Sequence, residues 1–210
     1  MRLLGSTRSP FVRKVRVVAA ECGIDLPLVQ HSVHLASVTP DIMALNPLGK
    51  IPVLLQDGHR PLFDSLVICA ELCHRAGRND LWPEAPGPMI EMLRHHAIGA
   101  GLMDLSILRL VEAAKPPERQ WPEIISASDD KFFAIFDALE NDEEFQATGT
   151  SVGTLSIAVA LGYLDFRMAF LNWRDERPQL AGWFAKVSAR PSMRDFPFQD
   201  TDTARAGQVR

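Results

Sequence analysis

The sequence predicts a mixed α/β domain followed by an all-helical domain. Three observations support this prediction. Strand and helix patterns alternate over residues 1–78, three prolines fall within residues 79–88, and beyond that stretch apolar residues recur almost only at helical spacing. We therefore expect a first domain at residues 1–78, a linker at 79–88 and an all-helical domain at 89–210 of this 210-residue chain.

The first domain has the pattern β-α-β followed by β-β-α, which predicts a small mixed sheet with helices on its faces. Pro52 removes an N–H group where the apolar strand Val53 to Leu55 begins, and Ile51–Pro52 is the kind of bond that can be cis in a tight turn. Asp57-Gly58 is typical of a hairpin turn. The other elements expected here are strands at 2–5, 26–33 and 60–63, and helices at 10–22, at 40–45 and from Asp64 onward.

The second domain is expected to contain helices at 90–114, 124–139, 152–170 and 178–189. Ser151 is placed to be the N-cap of the third of these helices. Thr154 stands where a capping box prefers Glu or Gln, so we expect a weakened box. His95 and His96 indicate a solvated helix face, because no third metal ligand stands at a fitting spacing.

Composition excludes several classes of protein. The chain is 47% hydrophobic and 23% charged, which is typical of a globular protein, and its net charge of -4 argues against nucleic acid or an anionic membrane as the main partner. We find no signal-peptide pattern and no apolar run long enough to span a membrane, so we expect a cytoplasmic protein. Cys22, Cys69 and Cys73 form no CxxC pair, which favours core packing over a disulfide framework, a dithiol site or a metal site.

The chemistry is expected at the first strand-to-helix turn, because ligands collect where strands end and helices begin. Ser9 precedes Pro10, so its hydroxyl either caps the helix or faces a ligand, and the local sequence leaves both open. No GxSxG elbow accompanies it, so a hydroxyl that donates a hydrogen bond to an anion fits better than a serine nucleophile. Free N–H groups at the Asp64–Ser65 helix start would attract a carboxylate.

Four segments resemble motifs of the glutathione transferase superfamily, in the order and spacing of that family over nearly the whole chain. They are SPFVRKVRV at 9–17, NPLGKIPVL at 47–55, FDS at 63–65 and ALGYLDFR at 160–167. The resemblance is closest to bacterial serine-type members, since Ser9 occupies the active-site hydroxyl position and the only tyrosine, Tyr163, lies in the second domain. It implies a thioredoxin-like first domain followed by an all-helical second domain.

The resemblance also implies a binding site for glutathione, a peptide with two carboxylates and one ammonium group. Ser9 would donate a hydrogen bond to the sulfur, with Ser6 and Thr7 as the alternatives. Five further residues would hold the rest of the peptide. They are Lys50 for the glycyl carboxylate, Ile51 and the turn at Pro52 for the cysteinyl backbone, Asp64 for the ammonium, and Ser65 for the γ-glutamyl carboxylate. His34 is a further candidate for the glycyl end. Each residue also has a plain interpretation, as a solvated turn residue, a structural proline or a helix cap.

The family context implies an apolar pocket for the second substrate. Its candidate residues are Phe11, Leu102, Met103, Ser106 and Arg109. Members often carry an acidic residue that reaches the partner subunit's glutathione, and Ala100 stands at that position here, so this cross-subunit contact is expected to be missing. Asp104 is a possible substitute.

We therefore expect a homodimeric transferase that acts in detoxification. It would activate glutathione, its co-substrate, for attack on an electrophilic small molecule, and it would need no metal. Two alternatives stay open. One is a glutathione-dependent disulfide reductase, and the other is a non-catalytic interaction module with the same fold. The joint presence of Ser9, Lys50, Ile51–Pro52 and Asp64–Ser65 favours an enzyme over a module.

Overall fold

The computed structural model of the protein describes residues 1–33 and 37–200, which form two compact units. The first unit consists of residues 1–78 together with the described part of the C-terminal segment from Asp195 onward, and the second unit consists of residues 79–194. The predicted bounds 89–210 place that C-terminal segment in the helical domain. In the structure it is part of the α/β unit.

The first unit is built on a three-stranded mixed sheet in the order β2-β1-β3. Strand β1 is parallel to β2, with Leu3 opposite Leu28, and antiparallel to β3, with Leu4 opposite Val53. The elements of this unit are β1 (Arg2–Gly5), α1 (Pro10–Glu21), β2 (Leu28–Gln30), α2 (Pro40–Leu45), β3 (Val53–Leu55) and α3 (Ser65–Ala76).

The second arm of the predicted hairpin is shorter than expected. Instead of a strand at 60–63, the structure has a single bridge in which Leu54 and Leu62 exchange two backbone hydrogen bonds of 2.9 Å. Pro61 explains the difference, since it has no N–H group with which to extend the ladder. Strand β2 is also shorter than the predicted 26–33, and it begins directly after Pro27.

Helices α1 and α3 pack against each other, and the contacts between their C-terminal ends indicate that they run in the same direction. Their C-terminal ends meet, because the Cys22 thiol donates to the Cys73 sulfur at 3.9 Å and the Arg78 guanidinium donates to the Glu21 carbonyl. Each helix has 12 residues, so their N-terminal ends lie together at the opposite edge of the unit. That edge is where the candidate site residues of the first domain fall.

The second unit is helical throughout its described residues. Its helices are α4 (Pro86–Ala113), α5 (Pro122–Glu140), α6 (Glu143–Ala147), α7 (Val152–Arg167), α8 (Pro178–Ser188) and α9 (Pro191–Arg194), with 3-10 turns at Pro117–Arg119 and Ala169–Leu171. Helix α4 begins at Pro86 and therefore starts inside the stretch 79–88 that was predicted to be a linker. No helix among the described residues is both long and apolar enough to cross a membrane.

Helix α7 is the buried core helix of this unit, and its N-terminus has a complete capping box. The Ser151 hydroxyl accepts the Thr154 N–H at 3.2 Å, and the Thr154 hydroxyl oxygen accepts the Ser151 N–H at 2.8 Å. The expectation that Thr154 weakens the box was therefore wrong. Its short side chain reaches the Ser151 amide and makes the bond that Glu or Gln usually makes.

Helices α4 and α7 approach so closely that α4 needs a glycine at the contact. A Cβ added at Gly99 would lie 2.5 Å from the carbonyl carbon of Ser156, which is backbone and cannot move aside cheaply. We expect Gly99→Ala to destabilise the protein by about 1–3 kcal/mol through overpacking. Gly182→Ala in α8, where a Cβ would meet nothing within 4 Å, should instead be neutral or stabilising. Urea unfolding of the two variants measures the difference.

His95 was expected on a solvated face, yet its side chain is only 1% exposed. It lies against Phe145 with ring centroids 5.2 Å apart, and its Nδ1 has no hydrogen-bond partner among the described residues. Burial, followed by the nearby charge of Arg94, lowers the pKa of His95, while Glu91 and Asp142 act in the opposite direction.

This lowered pKa predicts a loss of stability in mild acid. The unfolded chain binds a proton at His95 near its ordinary pKa of about 6.5, before the folded chain does, so folding is favoured fully above that pH and less as pH falls through the folded pKa. We expect His95→Phe to flatten this dependence. The difference in free energy of unfolding between wild type and variant, measured from pH 7.5 to pH 5, isolates the histidine from other titrating groups; parallel curves would contradict the prediction.

Candidate functional site

Three segments that carry candidate site residues lie at one edge of the sheet in the first unit. Strand β1 ends where β3 begins, since Leu4 pairs with Val53, so the loop at 6–9 and the turn at 47–52 lie side by side. The N-terminus of α3 lies at the same edge, because α1 and α3 point in the same direction. We call this region the serine edge; it comprises residues 6–9, 46–52 and 63–65.

Ser9 is the N-cap of α1, with extended backbone angles of φ -82° and ψ 126°. Its hydroxyl oxygen accepts the Val12 N–H at 3.3 Å, so the plain interpretation as a helix cap is correct. A hydroxyl has two acceptor lone pairs and one donor hydrogen, and the cap uses only a lone pair. Ser9 can therefore cap the helix and still donate its hydrogen bond to a ligand.

The neighbouring hydroxyls already have partners within the protein. The buried Ser6 side chain accepts the Arg8 N–H at 3.2 Å, and the Thr7 hydroxyl donates to the Gln199 carbonyl at 3.3 Å. Gly5 brings this loop close to α1, because a Cβ there would lie 2.5 Å from a methyl carbon of Val12. Of the three candidate hydroxyls, only that of Thr7 donates its hydrogen within the described residues; Ser6 and Ser9 each only accept a hydrogen bond, and Ser9 is the more exposed of these two.

The peptide bond between Ile51 and Pro52 is cis, as is the bond between Phe63 and Asp64. Neither the N–H nor the carbonyl of Ile51 takes part in a backbone hydrogen bond within residues 1–33 and 37–200. An extended peptide could use both groups.

Asn46 shapes the turn that leads to Ile51, and sequence reasoning missed it. Its side chain is buried, accepts the Leu48 N–H at 3.0 Å and donates to the Lys50 carbonyl at 2.8 Å. Gly49 takes a φ of 64°, which favours glycine, and donates its N–H to the Asn46 carbonyl. The signal was present in the sequence, since an Asn followed by Pro and Gly is typical of a side-chain-stabilised turn.

Asp64 and Ser65 form the N-terminus of α3. One carboxylate oxygen of Asp64, Oδ1, accepts the N–H groups of Leu66 at 2.9 Å and Val67 at 3.4 Å, while the residue as a whole is exposed. Ser65 is buried, and its hydroxyl has no hydrogen-bond partner in the described part of the chain. Both residues thus keep polar atoms available to a ligand. Lys50 is exposed, and His34 lies outside the described residues.

Comparisons with known proteins point to one superfamily. A family model for the glutathione S-transferase N-terminal domain matches residues 8–75. The crystal structure of a glutathione transferase family member from Pseudomonas fluorescens Pf-5, with bound glutathione, superimposes with a TM-score of 0.90 at 34% identity, covering 94% of this chain and 98% of that chain. The chain belongs to the glutathione transferase superfamily.

Other relatives agree with this placement. A glutathione S-transferase from Methylobacillus flagellatus KT, solved with glutathione bound, is 32% identical with a TM-score of 0.83, covering 93% of this chain and 98% of that chain. The uncharacterized GST-like protein YibF of Escherichia coli K12 is 29% identical over 195 residues, which is 91% of this chain and 96% of YibF. The expected fold, a thioredoxin-like domain followed by a helical domain, is confirmed.

None of the cysteines of this glutathione transferase superfamily member belongs to the serine edge. Cys22 and Cys73 are at the far ends of α1 and α3, and Cys69 is fully buried. Burial raises the pKa of Cys69 to about 12, and the hydrogen bond from Cys22, together with burial, raises the pKa of Cys73. Cys69 and Cys73 are therefore protonated at neutral pH. The serine edge itself carries hydroxyl groups and no thiol.

The candidate pocket residues on α4 are buried and largely engaged. Leu102 and Met103 are fully buried, and the Ser106 hydroxyl donates to the Leu102 carbonyl at 2.6 Å. The Arg109 guanidinium makes two hydrogen bonds, of 2.5 and 3.0 Å, to the carboxylate of Asp129. Phe11 belongs to the first unit, where it is half-buried on α1.

No group of three or more His, Cys, Asp or Glu side chains within residues 1–33 and 37–200 is placed to hold a metal ion.

Proposed function

We propose that the serine edge binds glutathione and holds its sulfur as a thiolate that attacks an electrophilic small molecule. The observation that carries this proposal is the uncommitted hydrogen of Ser9, which sits at the N-terminus of α1 beside the cis Ile51–Pro52 turn. The solved relatives with bound glutathione support the same ligand.

Each part of the tripeptide has a chemically matched group at this edge. The Asp64 carboxylate takes the ammonium group, and the hydroxyl and backbone N–H of Ser65 take the γ-glutamyl carboxylate. The free backbone groups of Ile51 pair with the cysteinyl residue, and Lys50 offers its charge to the glycyl carboxylate.

Ser9 makes this binding useful for catalysis. A thiol with a pKa of about 8.5 is only a few per cent ionised at pH 7, and lowering that pKa by about two units, worth roughly 2.7 kcal/mol, makes the thiolate the major form. The hydrogen bond from Ser9 and the positive end of the α1 dipole both favour the charged sulfur.

Asn46 should control affinity without touching the ligand. Because its side chain holds the turn that carries Lys50 and Ile51, we expect Asn46→Ala to weaken glutathione binding about tenfold, which corresponds to the loss of roughly one hydrogen bond's net stabilisation. Asn141→Ala is the matched control, since Asn141 also follows a helix and donates to a backbone carbonyl at 2.7 Å, but in the second unit. Calorimetric titration with glutathione compares the two; equal affinities would refute the role of Asn46.

The test of the reaction itself is a panel of electrophiles and mixed disulfides, each assayed with glutathione. Conjugation predicts product formation with electrophiles that have a leaving group or an activated double bond. Rates confined to the mixed disulfides would indicate the disulfide reductase instead, and glutathione binding without turnover of either class would indicate an interaction module. The uncommitted hydrogen of Ser9 and the absence of a thiol from the described residues of the serine edge favour conjugation.

We also infer a cytoplasmic homodimer that acts in detoxification. One face of α4 carries exposed apolar side chains at Ile90, Leu108 and Val111, which a partner subunit would cover. Sedimentation of the purified chain gives the subunit number directly. Since Ala100 has no charge, each subunit's glutathione site is expected to work without an acidic contact from that position of its partner.

A further inference from the structure

The C-terminal segment Asp195–Gln199 lies along α1 and is held by two arginines. The Arg13 Nε donates to the Phe196 carbonyl at 2.7 Å, and the Arg13 guanidinium lies 4.5 Å from the centre of the Phe198 ring. One helical turn further on, the Arg16 guanidinium lies 4.2 Å from the centre of the Phe196 ring. Each phenylalanine of the segment is therefore stacked against a cation of α1.

The segment runs towards the N-terminus of α1. Phe196 contacts Arg16 and Arg13, Phe198 contacts Arg13, and the Gln199 carbonyl accepts the Thr7 hydroxyl at 3.3 Å. Its successive partners thus move from the second turn of the helix to the loop that precedes it. The segment ends at the loop that carries Ser9.

These contacts hold the chain on both sides of Ser9. The Arg13 N–H donates to the Ser9 carbonyl at 3.0 Å, so fixing Arg13 fixes the first turn that Ser9 caps. The hydroxyl of Thr7, two residues before Ser9, donates a hydrogen bond to the Gln199 carbonyl. Burial lowers the pKa of Arg13 to about 10, so the side chain is enclosed yet still charged at neutral pH.

We propose that Asp195–Gln199 is a positioning element of the serine edge, with Arg13 and Phe198 as positioning residues that fix the orientation of Ser9. This role rests on the proposed function, because the orientation matters for the hydrogen bond from Ser9 to the glutathione sulfur. If the Ser9 hydroxyl is not held in line with the sulfur, it stabilises the thiolate less, since hydrogen bonds weaken steeply with misalignment.

The first test needs no ligand. Phe198→Ala removes the ring from Arg13 and leaves the sequence of α1 unchanged. Phe166→Ala is the matched control, since Phe166 is also half-buried and lies 4.0 Å from an arginine, Arg167, but in α7. We expect hydrogen exchange at the Val12 and Arg13 amides to become about threefold faster in Phe198→Ala only, as the loss of one cation–π contact predicts. Unchanged exchange would overturn the proposal.

The second test measures the thiol. Titrating thiolate absorbance of the glutathione complex should show the thiol pKa raised by up to about half a unit in Phe198→Ala. The thiolate fraction at pH 7 then falls from about three quarters to about one half and is restored at higher pH. Affinity for glutathione should stay within twofold, because the groups that hold the peptide are untouched. Phe198→Leu, which keeps the bulk but not the ring, should lie between the two.

The outcomes separate this proposal from the proposed function. If amide exchange is faster in Phe198→Ala but the wild type does not bind glutathione, the contact between the segment and α1 is supported and its role in thiolate formation is refuted. A thiol pKa shift of equal size in Phe166→Ala would show general loosening and contradict a positioning role. A shift confined to the Phe198 variants supports it.

Discussion

Ser9→Ala is expected to raise the pKa of the bound glutathione thiol by about two units and to leave glutathione affinity within a few fold of wild type. The thiolate fraction at pH 7 should fall about 25-fold, but turnover only about threefold, because a thiolate about two pKa units more basic attacks roughly six- to tenfold faster once formed. Turnover should match or exceed the wild-type value above pH 8.5. Thiolate absorbance and the pH profile of kcat measure both effects.

Two controls make this result specific to the hydroxyl. Ser9→Ala also removes a helix cap worth about 1 kcal/mol, and Ser151→Ala removes the cap of α7 without touching the serine edge. Ser6→Ala removes the neighbouring buried hydroxyl. If the thiol pKa moves in Ser6→Ala and not in Ser9→Ala, the role of Ser9 in this account is wrong.

Asp64→Asn is expected to weaken glutathione binding by about tenfold or more and to leave the free energy of unfolding nearly unchanged. Asn caps helices about as well as Asp, so the bonds to Leu66 and Val67 persist while the negative charge disappears. A hydrogen bond between charged groups contributes about 1.5–3 kcal/mol, which sets the size of the loss. Calorimetric affinity and urea unfolding report the two quantities separately.

The matched control is Asp142→Asn, since Asp142 caps α6 by accepting the Phe145 N–H at 2.8 Å in the second unit. It should not change glutathione affinity. A similar loss of affinity in both variants would mean that Asp64 acts only through the stability of its helix.

The signals from which the candidate site was predicted are local. Ser9 before Pro10, the Ile51–Pro52 bond and the Asp64–Ser65 helix start each follow from the chemistry of two or three adjacent residues. Strand pairing at the hairpin was overestimated, because Pro61 ends the ladder after one bridge. Roles at the site that depend on a bound ligand, such as the contacts of Lys50 and Ser65, stay predictions.

What sequence reasoning missed depends on contacts between distant residues. The polar-looking His95 is buried because α4 is covered by Phe145, 50 residues later. Phe196 and Phe198 contact Arg13 and Arg16, which lie at least 180 positions earlier in the chain, as in the hydrogen bond between Arg13 and Phe196. Periodicity within one helix carries no information on either contact.

The most direct test of thiolate formation at the serine edge is calorimetric titration of glutathione at pH 7 in buffers of different ionisation enthalpy. Lowering a thiol pKa from about 8.5 by two units predicts one site per chain and the release of about 0.7 proton on binding. S-methylglutathione, which has no thiol proton, should bind without that release. Absence of binding at millimolar glutathione, or binding without proton release, would contradict the account.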